Sequence, residues 1–461
     1  MTLVAGVDSS TQSCKVVVRD LDTGEVVRTG RSAHPVGTEV DPEDWWCALG
    51  EAIEAAGGLT DVAAIAIGGQ QHGSVLLDEN GRIVRPALLW NDTRSAQATL
   101  DLIAEFGTEA FVRRTGSVPV ASFTATKLRW LRDNEPHHAA SVAAVALPHD
   151  WLTWRLRGFG PANPALEELT TDRSDASGTS YWNPATGEYD REILMAALGH
   201  DVILPRVLGA AEPAGCVPGT NTVIGAGAGD NAAAALGLGA TSGDVIISIG
   251  TSGTVFAVTD DPIMDVSGAV AGFADATGRF LPLIATLNAA RILDIVADLL
   301  AVSHGALGEL AESVAPGSGG LVLQPYFEGE RTPNLPDATA TLLGMTLENT
   351  SRANLARAAI EGMLCSLAGG LDAVMSQSVE VRRLLLIGGA AQNSSVQKIA
   401  SEIFPYPISV PVAGEYVAAG AARQAGWALM GELPVWSTPI ASVREPRVAP
   451  VIRAQYQARQ G

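Results

Sequence analysis

The sequence predicts an α/β protein of two similar lobes, each a mixed sheet flanked by helices. Two segments carry most of that expectation: LVAGVDSSTQSCKVVVRD at Leu3–Asp20 and VIISIGTSGTVFAVTD at Val245–Asp260. Each is an apolar run, a turn crowded with small hydroxyl residues and glycine, and a second run rich in Val. That is the pattern of a β-hairpin. The two lie roughly half the chain apart, as a duplication would place them. Two further apolar runs stopped by glycine, VAAIAIGG at Val62–Gly69 and LLLIGG at Leu384–Gly389, read as buried strands, one per lobe. A boundary near Gly239–Gly243 divides the chain into lobes 1–240 and 241–461.

Composition narrows the function. At 461 residues the chain is long enough for two or three domains with proper cores. It is 47% hydrophobic but only 5% aromatic, and its 49 glycines provide for many tight turns. A net charge of −20 argues against binding to nucleic acid or to an acidic membrane face. It leaves nucleotides open, because local dipoles rather than overall charge hold a nucleotide with its magnesium. Cys14, Cys47, Cys216 and Cys365 form no CxxC pair and suggest no disulfide framework. Met1 is not followed by a basic segment and apolar core, and no apolar run approaches a membrane span, so a cytoplasmic location is expected.

The elements follow in order. Asp41 is placed as N-cap of a helix with Pro42 at its first position and acids in its first turn. GSVLLDENGRIV at Gly73–Val84 is a hairpin turning at Glu79-Asn80-Gly81. Residues 96–160 alternate helical stretches with loops, and residues 161–200 are rich in turns. VIGAGAGDNAAAALGLGA at Val223–Ala240 is a strand, a glycine turn and an Ala-rich helix. In the second lobe, helical segments around Asn288–Ser303 and Ser351–Ser376 precede the strand and glycine turn of Arg382–Asn393. A last helix covers Glu415–Gly431.

Several segments are candidates for chemistry. Asp8 ends the first strand before Ser9, Ser10 and Thr11. A carboxylate there can hold hydrated magnesium while the turn binds phosphate, or the turn can simply satisfy its own backbone. The turn Gly250-Thr251-Ser252-Gly253 matches it in the second lobe. Asp230 opens a helix after alternating glycines, either as an N-cap or as a general base for a hydroxyl attacking phosphorus. Gln70-Gln71-His72, at a glycine-flanked strand end, suit sugar hydroxyls or a structural role. Trp90-Asn91-Asp92-Thr93-Arg94 reads similarly, or as a Trp anchor beside an Asp–Arg pair. Gly388-Gly389-Ala390 can let an adenine lie on bare backbone, though many α/β folds have such a turn. Glu328–Pro333 is a compact charged turn without an evident role. Walker A, GxSxG and Cys/His metal spacings are missing from the sequence.

Taken together the segments resemble the FGGY family of carbohydrate kinases, within the actin-like ATPase (ribonuclease H-like) superfamily. The resemblance runs from Val4 to about Leu429. It is carried by GVDSSTQSCK, DPEDWW, GGQQHG, LLWNDTR, SFTATKLRWLRDNEP, LPHDWLTWRLRG, TDRSDASGT, AGDNAAAALG, SIGTSG, GERTP, LGMTLENTSRANLARAAIEGM and LIGGAAQNS in this order. The WNDxR, SDASGT and GDNAA forms favour members that act on D-xylulose over those that act on glycerol.

The resemblance implies ATP-dependent phosphorylation of D-xylulose, with Asp230 as catalytic base and Asp8 near magnesium, through water, and the transferred phosphoryl group. It implies sugar contacts from Gln71, His72, Asp230 and Asn231. It implies phosphate contacts from Ser9, Ser10, Thr11, Gly250, Thr251, Ser252 and Gly253, and nucleoside contacts from Gly388, Gly389 and Asn393. The first lobe would hold the sugar and the second ATP. A homodimer is compatible with the family. Gln71 stands where Met is common, a more polar group suited to a differently configured hydroxyl. Ribulose, gluconate and glycerol therefore stay open as acceptors. A silent sugar sensor or an actin-like assembly protein are the readings from other classes, but a silent sensor should have lost Asp8 or Asp230.

Overall fold

The computed structural model describes residues 1–333, 335 and 337–459. It separates into two compact units, and neither is a single run of chain. The first comprises Met1–Ala240, Asp260–Leu281 and Glu415–Ser437; the second comprises Thr241–Thr259, Pro282–Gly414 and Thr438–Gly461. The expected halves 1–240 and 241–461 therefore differ from the observed units, because two later segments return to the first.

The first sheet is built from β1 (Leu3–Ser9), β2 (Ser13–Asp20), β3 (Val26–Ala33), β4 (Val62–Gly69), β5 (Gly215–Cys216), β6 (Val223–Ile224) and β7 (Ala228–Gly229). Its order is β3-β2-β1-β4-β6-β5, with β7 also paired to β4. β1 and β2 form the expected antiparallel hairpin, whereas β1, β6 and β7 all run parallel to β4. The second unit contains β8 (Asp244–Ile249), β9 (Gly253–Ala257), β10 (Phe280–Thr286) from Pro282 onward, β11 (Arg383–Ile387), β12 (Ile408–Pro411) and β13 (Ile440–Arg444). Their order is β10-β9-β8-β11-β12-β13. Antiparallel, antiparallel, parallel, parallel and antiparallel pairings succeed one another along both paths. The two hairpins are thus the matching corners of a duplicated mixed sheet.

Local signals place the helices. The Asp41 side chain accepts the Glu43 N–H at 3.0 Å and caps Pro42–Ala55. Ser351 caps Arg352–Ser376, and Asn393 caps Ser394–Ile403. The helix Tyr416–Met430 packs on the first sheet through small residues. A Cβ on Gly6 would lie 1.8 Å from the Ala418 carbonyl oxygen, and one on Gly420 would lie 1.8 Å from that of Ala233. This explains why a segment so late in the chain belongs to the first unit. Gly6→Ala should destabilise the protein by at least about 1–3 kcal/mol, the usual cost of overpacking. A lower urea midpoint at unchanged m-value would show it.

One expectation is corrected here. Arg352–Ser376, at 25 residues, is long and apolar enough to cross a membrane. However, 78% of its most apolar window is buried in the protein. It also carries a buried Arg357 that pairs with Glu361 at 2.7 Å and with Glu402. These are the marks of a core helix rather than a lipid-facing one.

Candidate active site

The register of the first sheet brings the candidate residues to one edge. Asp8 lies beside Gly68, and Gly68 beside Ala228; Ser9, Gly69 and Gly229 form the next row. Three parallel strands thus end together, and the chain leaves them through Ser10–Gln12, Gln70–His72 and Asp230. Ligands of open α/β sheets bind at such carboxyl ends.

Asp230 is the first residue of the helix Asp230–Gly237, and Gly229 is its N-cap. The N-cap reading of Asp230 is therefore replaced. Its side chain does not close the helix end but turns toward Asn231, whose N–H and Nδ2 donate to Oδ1 at 2.8 and 2.9 Å. Oδ2 has no hydrogen bond among the described residues. Burial pushes this carboxyl up to about 7, the Asn231 amide pulls it back, and the Asp8 charge raises it further. Residue type alone would suggest an ordinary value; the enclosure of the carboxylate is what changes it.

Asp8 is 6% exposed. Burial raises its carboxyl to about 6, and Lys15, whose Nζ lies 3.6 Å from Oδ2, opposes the rise. Lys15 is also bonded to Glu415 at 2.6 Å. Asp8 Oδ1 is buried without a hydrogen-bond partner among the described residues, an acceptor suited to a hydrated cation. Ser10 donates both its N–H (3.1 Å) and its Oγ–H (2.9 Å) to the Ser13 carbonyl. Both groups thus close the turn. The Ser9 hydroxyl is buried without a hydrogen-bond partner among the described residues. Thr11 donates to Gln70 and accepts from the Trp90 indole at 2.8 Å.

Gln71 is buried, and its Nε2 donates to the Ser174 carbonyl at 3.3 Å, while Asn231 Nδ2 lies 3.5 Å from its Oε1. The amide expected to read a sugar hydroxyl is thus partly committed to the framework. His72 has a left-handed backbone, φ 69°. Strain of this kind costs on the order of 1–3 kcal/mol and persists only where the surroundings over-determine it. Here Lys127 and Thr124 both donate to the His72 carbonyl, at 3.0 and 3.3 Å. The ring donates Nδ1–H to the Gly178 carbonyl at 2.9 Å and packs against Phe123 and Phe273. In the WNDTR segment the Asp–Arg pair is what forms: Arg94 Nε meets Asp92 at 2.8 Å and Thr38 donates to the same carboxylate.

Sequence reasoning missed Lys127 and Ser174 as parts of this site. The Ser174 hydroxyl accepts the Gly229 N–H at 3.0 Å. Nothing local in SDASGT signals that contact, since its partner lies 55 residues on.

In the second unit, the Gly250 turn follows β8 and the Gly388 turn follows β11, its parallel neighbour. Gly250 N–H donates to the Ser252 carbonyl at 3.1 Å, Thr251 is exposed and Ser252 half-buried. Gly253 is a strand residue whose Cβ would lie 2.6 Å from Thr286 Oγ1 and 2.7 Å from Leu367. Close packing is by itself enough to require glycine there. Gly388 (φ 98°) would carry its Cβ 2.4 Å from the Ile249 carbonyl oxygen, so only glycine fits; beside Gly389 there is open space. Asn393 accepts the Ser395 N–H at 2.9 Å as helix cap. With Gly305, Glu309 and Ser313 it lines a groove of 610 Å³, large enough for a nucleoside.

The N-terminal domain of the FGGY family of carbohydrate kinases matches residues 3–237, and its C-terminal domain matches residues 245–429. A xylulose kinase of Streptomyces coelicolor is 46% identical over 444 residues, 93% of this chain and 89% of that protein. The crystal structure of xylulose kinase from Bifidobacterium adolescentis superposes with a TM-score of 0.92 at 46% identity, covering 100% of this chain and 99% of that one. A gluconate kinase structure from Lactobacillus acidophilus superposes with a TM-score of 0.88 at 21% identity, covering 99% and 96% of the two chains. That last likeness shows the fold alone.

Proposed function

Because this chain belongs to the FGGY family of carbohydrate kinases, we propose that it transfers the γ-phosphoryl group of ATP to the 5-hydroxyl of D-xylulose, giving D-xylulose 5-phosphate and ADP. The observation that carries the chemistry is Asp230, a carboxylate on the first turn of a helix with one oxygen held by Asn231 and the other without a hydrogen bond among the described residues. As the sugar oxygen forms its bond to phosphorus and the bond from phosphorus to the β-phosphate oxygen breaks, Asp230 Oδ2 takes the hydroxyl proton. Asn231 keeps Oδ1 oriented during that transfer. His72 and Asn231 sit where the sugar hydroxyls are read, and Gln71 shapes the floor between them. The second unit's glycine turns are assigned to ATP, with Asn393 near the nucleoside.

The unpartnered, buried Oδ1 of Asp8 fits a hydrated magnesium ion, and Asp8 would hold it through water. Magnesium bound with ATP supplies positive charge to the phosphoryl oxygens. D-Xylulose is favoured as the acceptor by the full-length likeness to xylulose kinases at 46% identity. We place the enzyme in the cytoplasm, where ATP is available and where Cys14, Cys47, Cys216 and Cys365, all unpaired, stay reduced.

The test is ADP release from MgATP across D-xylulose, D-ribulose, L-ribulose, gluconate and glycerol. Strong stimulation by D-xylulose alone is expected. Stimulation by another acceptor would keep the chemistry and reassign the pocket. Silence with all five would overturn the proposal.

A further inference from the structure

Four ionisable side chains that the phosphoryl transfer does not use lie buried beneath the turn carrying Asp230. His149 and Asp150 open the helix Pro148–Leu156, Asp172 ends the strand Thr170–Asp172, and Asp175 lies in the short helix after it. His149, Asp150 and Asp175 are 0% exposed and Asp172 is 3% exposed. The His149 Nε2 lies 3.3 Å from Asp150 Oδ1, from Asp172 Oδ1 and from Asp175 Oδ2. Among the described residues no lysine or arginine pairs with any of the three carboxylates. The acids of this buried cluster that ionise need a positive charge, and the ring is the group placed to supply it.

His149 packs against both backbones that carry the sugar site, through its Cβ at Gly69 and through its ring at Gly227. A Cβ on Gly69 would lie 3.0 Å from His149 Cβ, and one on Gly227 would lie 2.5 Å from its Nδ1. Gly69 leads into Gln70–His72, and Gly227 (φ 86°) leads into Asp230. From the cluster a hydrogen-bond chain runs to the same place. Asp172 Oδ2 accepts the Ser174 N–H at 2.8 Å and its Oγ–H at 2.6 Å. Ser174 in turn accepts the Gly229 N–H on Oγ at 3.0 Å and the Gln71 amide on its carbonyl at 3.3 Å.

We propose that His149 is a positioning residue, a buried imidazolium that draws Asp150, Asp172 and Asp175 together and thereby fixes the turn that aims Asp230. The inference rests on the assignment of Asp230 and Gln71 to the sugar site. Burial alone pushes the imidazole down, but the three carboxylates outweigh it and raise it to about 9. Burial drives Asp175 well above the carboxylate range and Asp150 up to about 6. Asp230 faces Asp175 as a further acid, and Tyr181 faces both Asp150 and Asp175. The competing occupant of these atoms is a metal ion, since His149, Asp150 and Asp175 are near enough to one another to ligate one.

Nitrogen NMR of the protein labelled at its seven histidines reads the charge directly on the wild-type chain. One ring is expected to keep both nitrogens protonated at pH 8, and to vanish in His149→Gln. A neutral His149, or a stoichiometric metal in the purified protein, would overturn the proposal. Kinetics then test the positioning. His149→Gln should lower kcat/KM for the sugar by about 100-fold, the cost of a misplacement of ~1 Å, with ATP affinity unchanged. His149→Lys, which restores a cation, should recover most of it. Equal loss in both variants would show that the charge does no positioning. Activity surviving in Asp230→Ala would sink the site assignment yet leave the NMR result standing, so the two failures read apart.

Discussion

Asp230→Ala is expected to lower kcat by about 10²–10⁴-fold, the usual contribution of a positioned general base, while ATP binding persists. The reason is geometric. The carboxylate is the one acid placed on the helix start at the sheet edge, and Asn231 holds it by one oxygen. Activity within tenfold of wild type would sink the assignment. The same group should govern the pH profile. Its carboxyl is raised to about 7, chiefly by burial. A general base works ionised, so kcat/KM should rise with pH through about 7 and then level. Asp230→Asn should abolish that limb.

The raised carboxyl also affects stability, with a defined sign. The folded value of about 7 lies above the ordinary 3.8, so the native state binds this proton more tightly than the unfolded chain. That contribution is complete below about 4 and lost as the pH rises through about 7. Asp230→Asn, which never ionises, should therefore melt higher than wild type at pH 8, with the gap closing toward pH 4.

Lys127→Met should raise KM for the sugar by tenfold or more and lower Tm. Lys127 is 1% exposed, and its ammonium donates to the carbonyls of His72 and Ser122. Leaving a buried acceptor unmet costs about 1–3 kcal/mol, and in this variant each of the two carbonyls loses one donor. Thr124 still reaches the His72 carbonyl, so the loss there is partial. The functional consequence comes from the left-handed backbone of His72, which these bonds secure. Wild-type KM with a lowered Tm would mean that Lys127 serves the fold alone.

The fold was largely legible because its signals are local. A hydroxyl-rich turn between two Val-rich runs marks each hairpin, and a glycine stop marks each parallel strand beside it. The return of Tyr416–Met430 to the first unit was not legible, since it depends on Gly6 and Gly420 letting backbones touch, which no periodicity reports. The site was legible as residue types at strand ends, but not as roles. Asp230 and an N-cap look alike in sequence, and only the structure shows Gly229 taking the cap. At Gly253 and Ser10 the sequence does not separate phosphate binding from packing or turn closure, because small residues serve all three. Lys127 and His149 act through partners far along the chain, so nothing beside them announced their place.

The most direct test of the central claim is to identify the product of D-xylulose and MgATP by ³¹P and ¹³C NMR. The account predicts one phosphate monoester on the C5 oxygen, formed one for one with ADP. Phosphate on another carbon, or ADP with only inorganic phosphate, would contradict it.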